Sequence, residues 1–289
     1  MRRSVSLLAL AGTLLLTAPG LRASEADRLL ATAALSAGQS ALQTGWYRFD
    51  AADGSGVSLS DSDFSGRYLF ESFSSGWRPF VLGGVGWSRI EKDPGSSGSL
   101  EIDSLYGTVG GGISADLTPT FKAEIGARGL WMHSDLSGSD PLRPEDADTF
   151  LGELYAEGTF HTRTGGGYLP YAKAGLHRLY LDIEDRASGH GYAGDLTLGV
   201  YTPALGTWQN RPIRGHLYAT VGRFGDGLED LSYLKSHESV GGSLLYPVGQ
   251  WIPWKLFEKI QLGLNLQATR GDRGLEGFKA SLSFTRIPF

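Results

Sequence analysis

The stretch KSHESVGG places His237 and Ser239 two residues apart. On an extended strand that spacing puts both side chains on one face. An imidazole beside a hydroxyl is the base and nucleophile of ester hydrolysis. The apolar Val240, Leu244 and Tyr246 have the opposite parity, so the pair turns away from the apolar face of its strand. Charged residues form a second group. Lys122, Glu124 and Arg128 share a face within 120–132, and Glu153 and Glu157 belong to the neighbouring segment 150–161. Arg67 and Glu71 share a face by the same counting. Such a set can act as an ion-selective constriction or as a ladder of cross-strand pairs, and the ladder is the preferred reading. Metal and cofactor chemistry find no support. His190 and Asp195 in HGYAGD lack ligand spacing. Asp226, Glu229 and Asp230 in GDGLED lack the alternation of a calcium loop. GGVG and GGGI sit inside strand-like runs rather than before helices, which excludes phosphate loops. There are no cysteines, hence no thiol nucleophile and no thiolate metal site.

These residues need elements to hold them. The net charge of −5 and the scattered basic residues give no footprint for nucleic acid. Residues 1–23 read as a cleaved signal peptide: Arg2 and Arg3 precede the apolar VSLLALAGTLLLTA, Pro19 and Gly20 break it, and cleavage falls near Ala23. Leu21 occupies a site where a small residue is preferred. Residues 24–43 then read as a helix and plug segment. Ser24 and Asp27 fit a capping box, and Leu29, Leu30, Ala33, Ala34, Ala37 and Ala41 fall near one face.

From residue 44 to 289 helical spacing gives way to period-two alternation. Phe121, Ala123, Ile125, Ala127, Gly129 and Trp131 alternate with polar residues, as do Ile260, Leu262, Leu264, Leu266 and Ala268. The runs are longer than the usual strand. Twelve are predicted, near 44–50, 64–74, 77–91, 101–116, 119–134, 149–163, 168–184, 191–202, 213–223, 236–247, 257–269 and 275–287. The early links alternate short and long, and 168–184 changes phase, which predicts a bulge. Trp46, Trp77, Trp87, Trp131, Trp251 and Trp254 suit interfacial girdles. The fold class is therefore all-β: a transmembrane antiparallel barrel of about twelve strands, closed because lipid leaves no unpaired backbone group satisfied, preceded by a short N-terminal helix.

Those strands, the preceding helix and the ending KASLSFTRIPF resemble the translocator domain of autotransporters, the solitary kind that lacks a passenger in cis. The resemblance implies a Gram-negative outer-membrane location, contact with outer-membrane lipid, and a lumenal helix. It also implies recognition of the last strand by the barrel-assembly machinery, through Phe284, Ile287 and Phe289. Ile287 and Phe289 have the opposite parity to Phe278, Ala280, Leu282 and Phe284, with Pro288 between. The expected function is a plugged structural or surface barrel, without enzymatic activity. The alternatives are a small-solute, porin-like channel and an outer-membrane lipid hydrolase using His237 and Ser239. For the last, the hydrolase pattern NHxSNG has Asn where this chain has Ser236 and Val240.

Overall fold

The computed structural model describes residues 25–36, 42–51, 54–73, 76–95, 98–138, 146–184, 187–225, 227, 235–248 and 261–285. Helix α1 (Glu25–Ser36) precedes twelve strands. They are β1 (Leu42–Asp50), β2 (Gly56–Leu69), β3 (Trp77–Gly95), β4 (Gly98–Thr118), β5 (Phe121–Gly138) and β6 (Asp146–His161). The second half comprises β7 (Leu169–Ile183), β8 (Ala187–Trp208), β9 (Arg211–Gly225), β10 (Ser236–Pro247), β11 (Gln261–Gly271) and β12 (Glu276–Thr285). Each strand pairs antiparallel with its sequence neighbours, and β1 pairs β12, so the sheet closes. We call the rim where β1 begins and β12 ends the lower rim.

The strands are long: β3, β4 and β8 have 19, 21 and 22 residues, where roughly 10 tilted residues cross a bilayer. The surplus is explained by an inversion of polarity along them. On the outer face of β4, Leu105, Val109, Ile113 and Leu117 are exposed apolar side chains. Their span is about 12 steps of ~3.3 Å, which at a tilt of about 45° gives a band roughly 28 Å tall. Above Leu105 the same face carries Asp103 and Glu101. The switch recurs around the wall, from Trp87 to Arg89, Trp131 to His133, Phe150 to Asp148, and Tyr192 to His190. Arg270 and Glu238 continue this charged collar.

The inner face inverts at the same height. Lower down it holds Asp61, Asp63, Glu124 and Glu153; from the top of the outer apolar band up to the collar come Leu59, Val57, Ile90, Ile102, Leu130, Met132, Leu151, Leu179 and Leu181, all buried. The lower part is thus apolar outside and polar inside, and the upper part is the reverse. This overturns the predicted bulge in 168–184. On β7 the apolar parity passes from Leu176 outside to Leu179 inside while its register with β6 and β8 is unbroken. The change of environment, not an extra residue, shifts the phase. The register breaks that do occur lie at β8–β9, around Ala204, and at two strand ends, between Lys92 and Gly95 and between Asp116 and Thr118.

Helix α1 lies inside the ring, packed against β3, β5, β6 and β7. Leu29, Leu30, Ala31 and Thr32 are wholly buried and Ala26, Ala33 and Ala34 nearly so, because wall surrounds the helix on every side. The described helix runs to Ser36 and β1 begins at Leu42, so the last two residues of the predicted 24–43 segment are strand; Ser24 and residues 37–41 lie outside the described residues. Strand β2 begins at Gly56 rather than near 64, and ends at Leu69, which leaves Glu71 in the following turn. The expected alternation of short and long links does not hold. Strands run through most of KDPGSSGSL and TPALGTWQNRP, the latter closing on Gln209 and Asn210, both at positive φ. Trp46, Trp87 and Trp131 face outward and exposed, joined by Trp208; Trp251 and Trp254 lie outside the described residues.

Candidate functional site

Among the described residues the lumen gathers the buried chemistry-bearing side chains. Its packing begins with glycine. Tyr47, Tyr106, Tyr155, Tyr171 and Tyr218 each stand directly opposite a glycine on a paired strand: Gly277, Gly86, Gly126, Gly199 and Gly241. Each ring lies where a Cβ would be, so the glycine is the socket for its neighbour's ring.

Acids and bases from β2 to β8 form three neighbouring clusters. Arg67 crosses the inner faces of β3 and β4 to make two hydrogen bonds with Glu124, at 2.9 and 2.7 Å. Its guanidinium rests 3.7 Å above the Phe80 ring centroid, and Gly112 on β4 leaves room for the end of that ring. Lys122 lies 3.6 Å from Glu124, and the Tyr155 hydroxyl donates to it at 3.3 Å. Arg128 donates to Glu153 at 2.7 Å. His177 bridges Glu153, 2.7 Å from Nδ1, and Asp195, 2.8 Å from Nε2. Lys173 pairs with Glu157 at 2.8 Å. The structure therefore joins Lys122 to Glu124 and Arg128 to Glu153. Register sets Glu124 opposite Glu157, and each finds its own cations instead. Glu153 is 6% exposed and Glu124 6%, so their charges are compensated within the wall rather than by bulk water.

The opposite wall carries an aromatic and amide cluster. His216 stacks on Tyr201 with centroids 4.2 Å apart, and its Nε2 lies 2.8 Å from the Tyr171 hydroxyl. Tyr218 donates to Gln267 at 3.0 Å, and Ser243 donates to Asn265 at 3.0 Å. Sequence reasoning missed this aromatic cluster and His177, and weighed Asp195 only as a metal ligand. Parity could have placed each in the lumen, but not beside the others.

His237 and Ser239 do share the lumenal face of β10, near the upper rim. Ser239 is buried, and the His237 ring lodges over Gly222 of β9. Among the described residues no hydrogen bond joins the two side chains. His237 instead borders a partly open cavity of about 160 Å³ between α1 and strands β1, β2 and β9–β12. No group of three or more His, Cys, Asp or Glu side chains suited to a metal occurs among the described residues. Of the expected assembly residues, Phe284 pairs with Leu262 through its backbone in β12, and Ile287 and Phe289 lie outside the described residues.

No protein-family model matches this chain, and no curated protein does. Solved structures match its fold. The translocator domain of autotransporter NalP from Neisseria meningitidis superposes with a TM-score of 0.62 at 12% identity, covering 85% of this chain and 86% of that one. The transport unit of AIDA-I from Escherichia coli gives 0.56 at 12%, covering 97% and 96%. The β domain of the Bordetella autotransporter BrkA gives 0.56 at 10%, covering 84% and 97%. The closed twelve-strand barrel with its N-terminal helix is therefore a fold of the autotransporter translocator type.

Proposed function

We propose that this chain is an outer-membrane β-barrel that keeps its own lumen shut. The observation that carries the reading is α1, enclosed by the apolar upper storey. The salt-bridged and aromatic clusters below it place mutually bonded side chains in the lumen. The roughly 28 Å apolar band sits in lipid, aromatic rings mark its border, and the charged collar stands in water beyond the bilayer. The upper rim is then the cell-exterior side, and insertion relies on barrel-assembly machinery that reads β12. On this reading the lumenal charges brace the wall and do not filter ions. The barrel serves as a structural or surface element.

A small-solute channel is the second reading, and the polar lower lumen favours it. Conductance of the purified barrel in planar bilayers separates the two. The full chain should show only rare, small openings, and a variant with Leu29→Asp and Leu30→Asp should conduct steadily. Steady conductance by the unaltered chain, unchanged in the variant, would overturn the plug.

A further inference from the structure

The cavity beside α1 has two kinds of wall. Leu35 of the helix, Phe49, Leu59 and Leu275 give it an apolar side. His237, Lys279 and Thr269 give it a polar one. Most polar neighbours are already engaged: Thr32 donates to the Arg28 carbonyl at 2.7 Å, and Gln267 accepts from Tyr218 and donates to Thr269 at 3.4 Å. The His237 ring is different. Among the described residues no side chain hydrogen-bonds to it, although it is held in place by Gly222 beneath and Phe224 beside it. A neutral imidazole offers one donor and one acceptor, here facing a partly open cavity.

Charge selects what could enter. Lys279 already interacts with Asp61 and Asp63, so the cluster holds two acids against one base. An added anion would meet the surplus acid, and an added cation would meet Lys279. A neutral hydroxyl, which donates and accepts, matches the imidazole without disturbing that balance. Size narrows it further, because an apolar protein cavity of about 150 Å³ accommodates a benzene ring.

We propose that this cavity is a binding site for a small neutral hydroxylated aromatic molecule, with its ring between Leu35, Phe49 and Leu59 and its hydroxyl on His237. The site uses the seated position of α1 but not the closure of the pore, so it stands whether or not the barrel conducts. The test follows the fluorine resonance of 4-fluorophenol on the folded, detergent-solubilised full chain, with phenol and toluene as competitors. Heat-modifiable gel migration confirms that each variant is folded. Saturable one-to-one binding is expected, displaced by phenol at least tenfold better than by toluene. His237→Leu should weaken phenol at least tenfold and leave toluene unchanged. Thr269→Phe, which fills the cavity from another strand, should abolish saturable binding; should one variant fail to fold, the other decides. Probe uptake that stays linear, as in empty micelles, overturns the proposal. So does phenol affinity that survives both substitutions.

Discussion

Leu30 is wholly buried near the middle of α1, which makes Leu30→Ala a direct measure of how firmly the helix is held. Truncating a fully buried leucine costs about 2–5 kcal/mol, the spread reflecting how far the site collapses. The wall around α1 is a hydrogen-bonded sheet with little freedom to close on a void, so the upper half of that range applies. The loss falls on docking of the helix, because the released helix leaves the strand ladder intact. At ~1.4 kcal/mol per tenfold, the fraction of time the helix spends undocked should rise about 300- to 4,000-fold. Because the chain has no cysteines, Ala33→Cys provides a unique probe at a site only 2% exposed. Its reaction with a maleimide should be slow in the otherwise unaltered barrel and faster by that factor with Leu30→Ala. Leu264→Ala, on the lipid side, should leave the rate unchanged. Rapid labelling at position 33 before any truncation, or a rate indifferent to Leu30, would refute the enclosure of α1.

Other consequences can be checked in the same cysteine-free background. Spin labels at Leu105→Cys and Val109→Cys should respond to oxygen, and labels at Asp103→Cys and Glu101→Cys to a water-soluble nickel chelate; no crossover between 103 and 105 would displace the inferred lipid boundary. Glu153→Gln weakens its pairing with both Arg128 and His177, so the barrel should unfold at lower temperature, by about 1–3 kcal/mol of stability, with conductance unchanged. A clear change in ion selectivity would instead identify a filter. Gly277→Ala inserts a methyl where the Tyr47 ring lies, at the β1–β12 seam. Its heat-modifiable band should convert at lower temperature than that of Gly66→Ala, where a Cβ meets nothing within 4 Å.

Much of the wall could be read from alternation alone. The face carrying Ile125, Ala127 and Trp131, and the opposite face with Glu124 and Arg128, are where parity places them. Parity failed where polarity inverts, because alternation reports only a contrast between two sides and not which side is wet. Hence the phase change in β7 looked like a bulge. The first half of β2 was overlooked because SLSDSD is polar on both faces; Asp61 and Asp63 are buried there beside Tyr47, Tyr106 and Lys279. Arg67 could be placed in the lumen but not against Glu124, since that contact spans three strand spacings and depends on barrel curvature and on Gly112. The His177 bridge and the His216 stack likewise depend on the registers of several strands at once.

Among the described residues the β1–β12 seam, with seven pairs from Leu42 to Arg48, is the shortest in the wall. A helix ringed by a continuous hydrogen-bonded sheet cannot slip in sideways after that seam has zipped. Sideways entry is possible only while the ends of the sheet are still apart, so once the seam has zipped the helix can enter or leave only along the barrel axis, through a rim. A synthetic peptide of residues 25–36 offered to a helix-deleted barrel should therefore be captured faster during refolding than after closure.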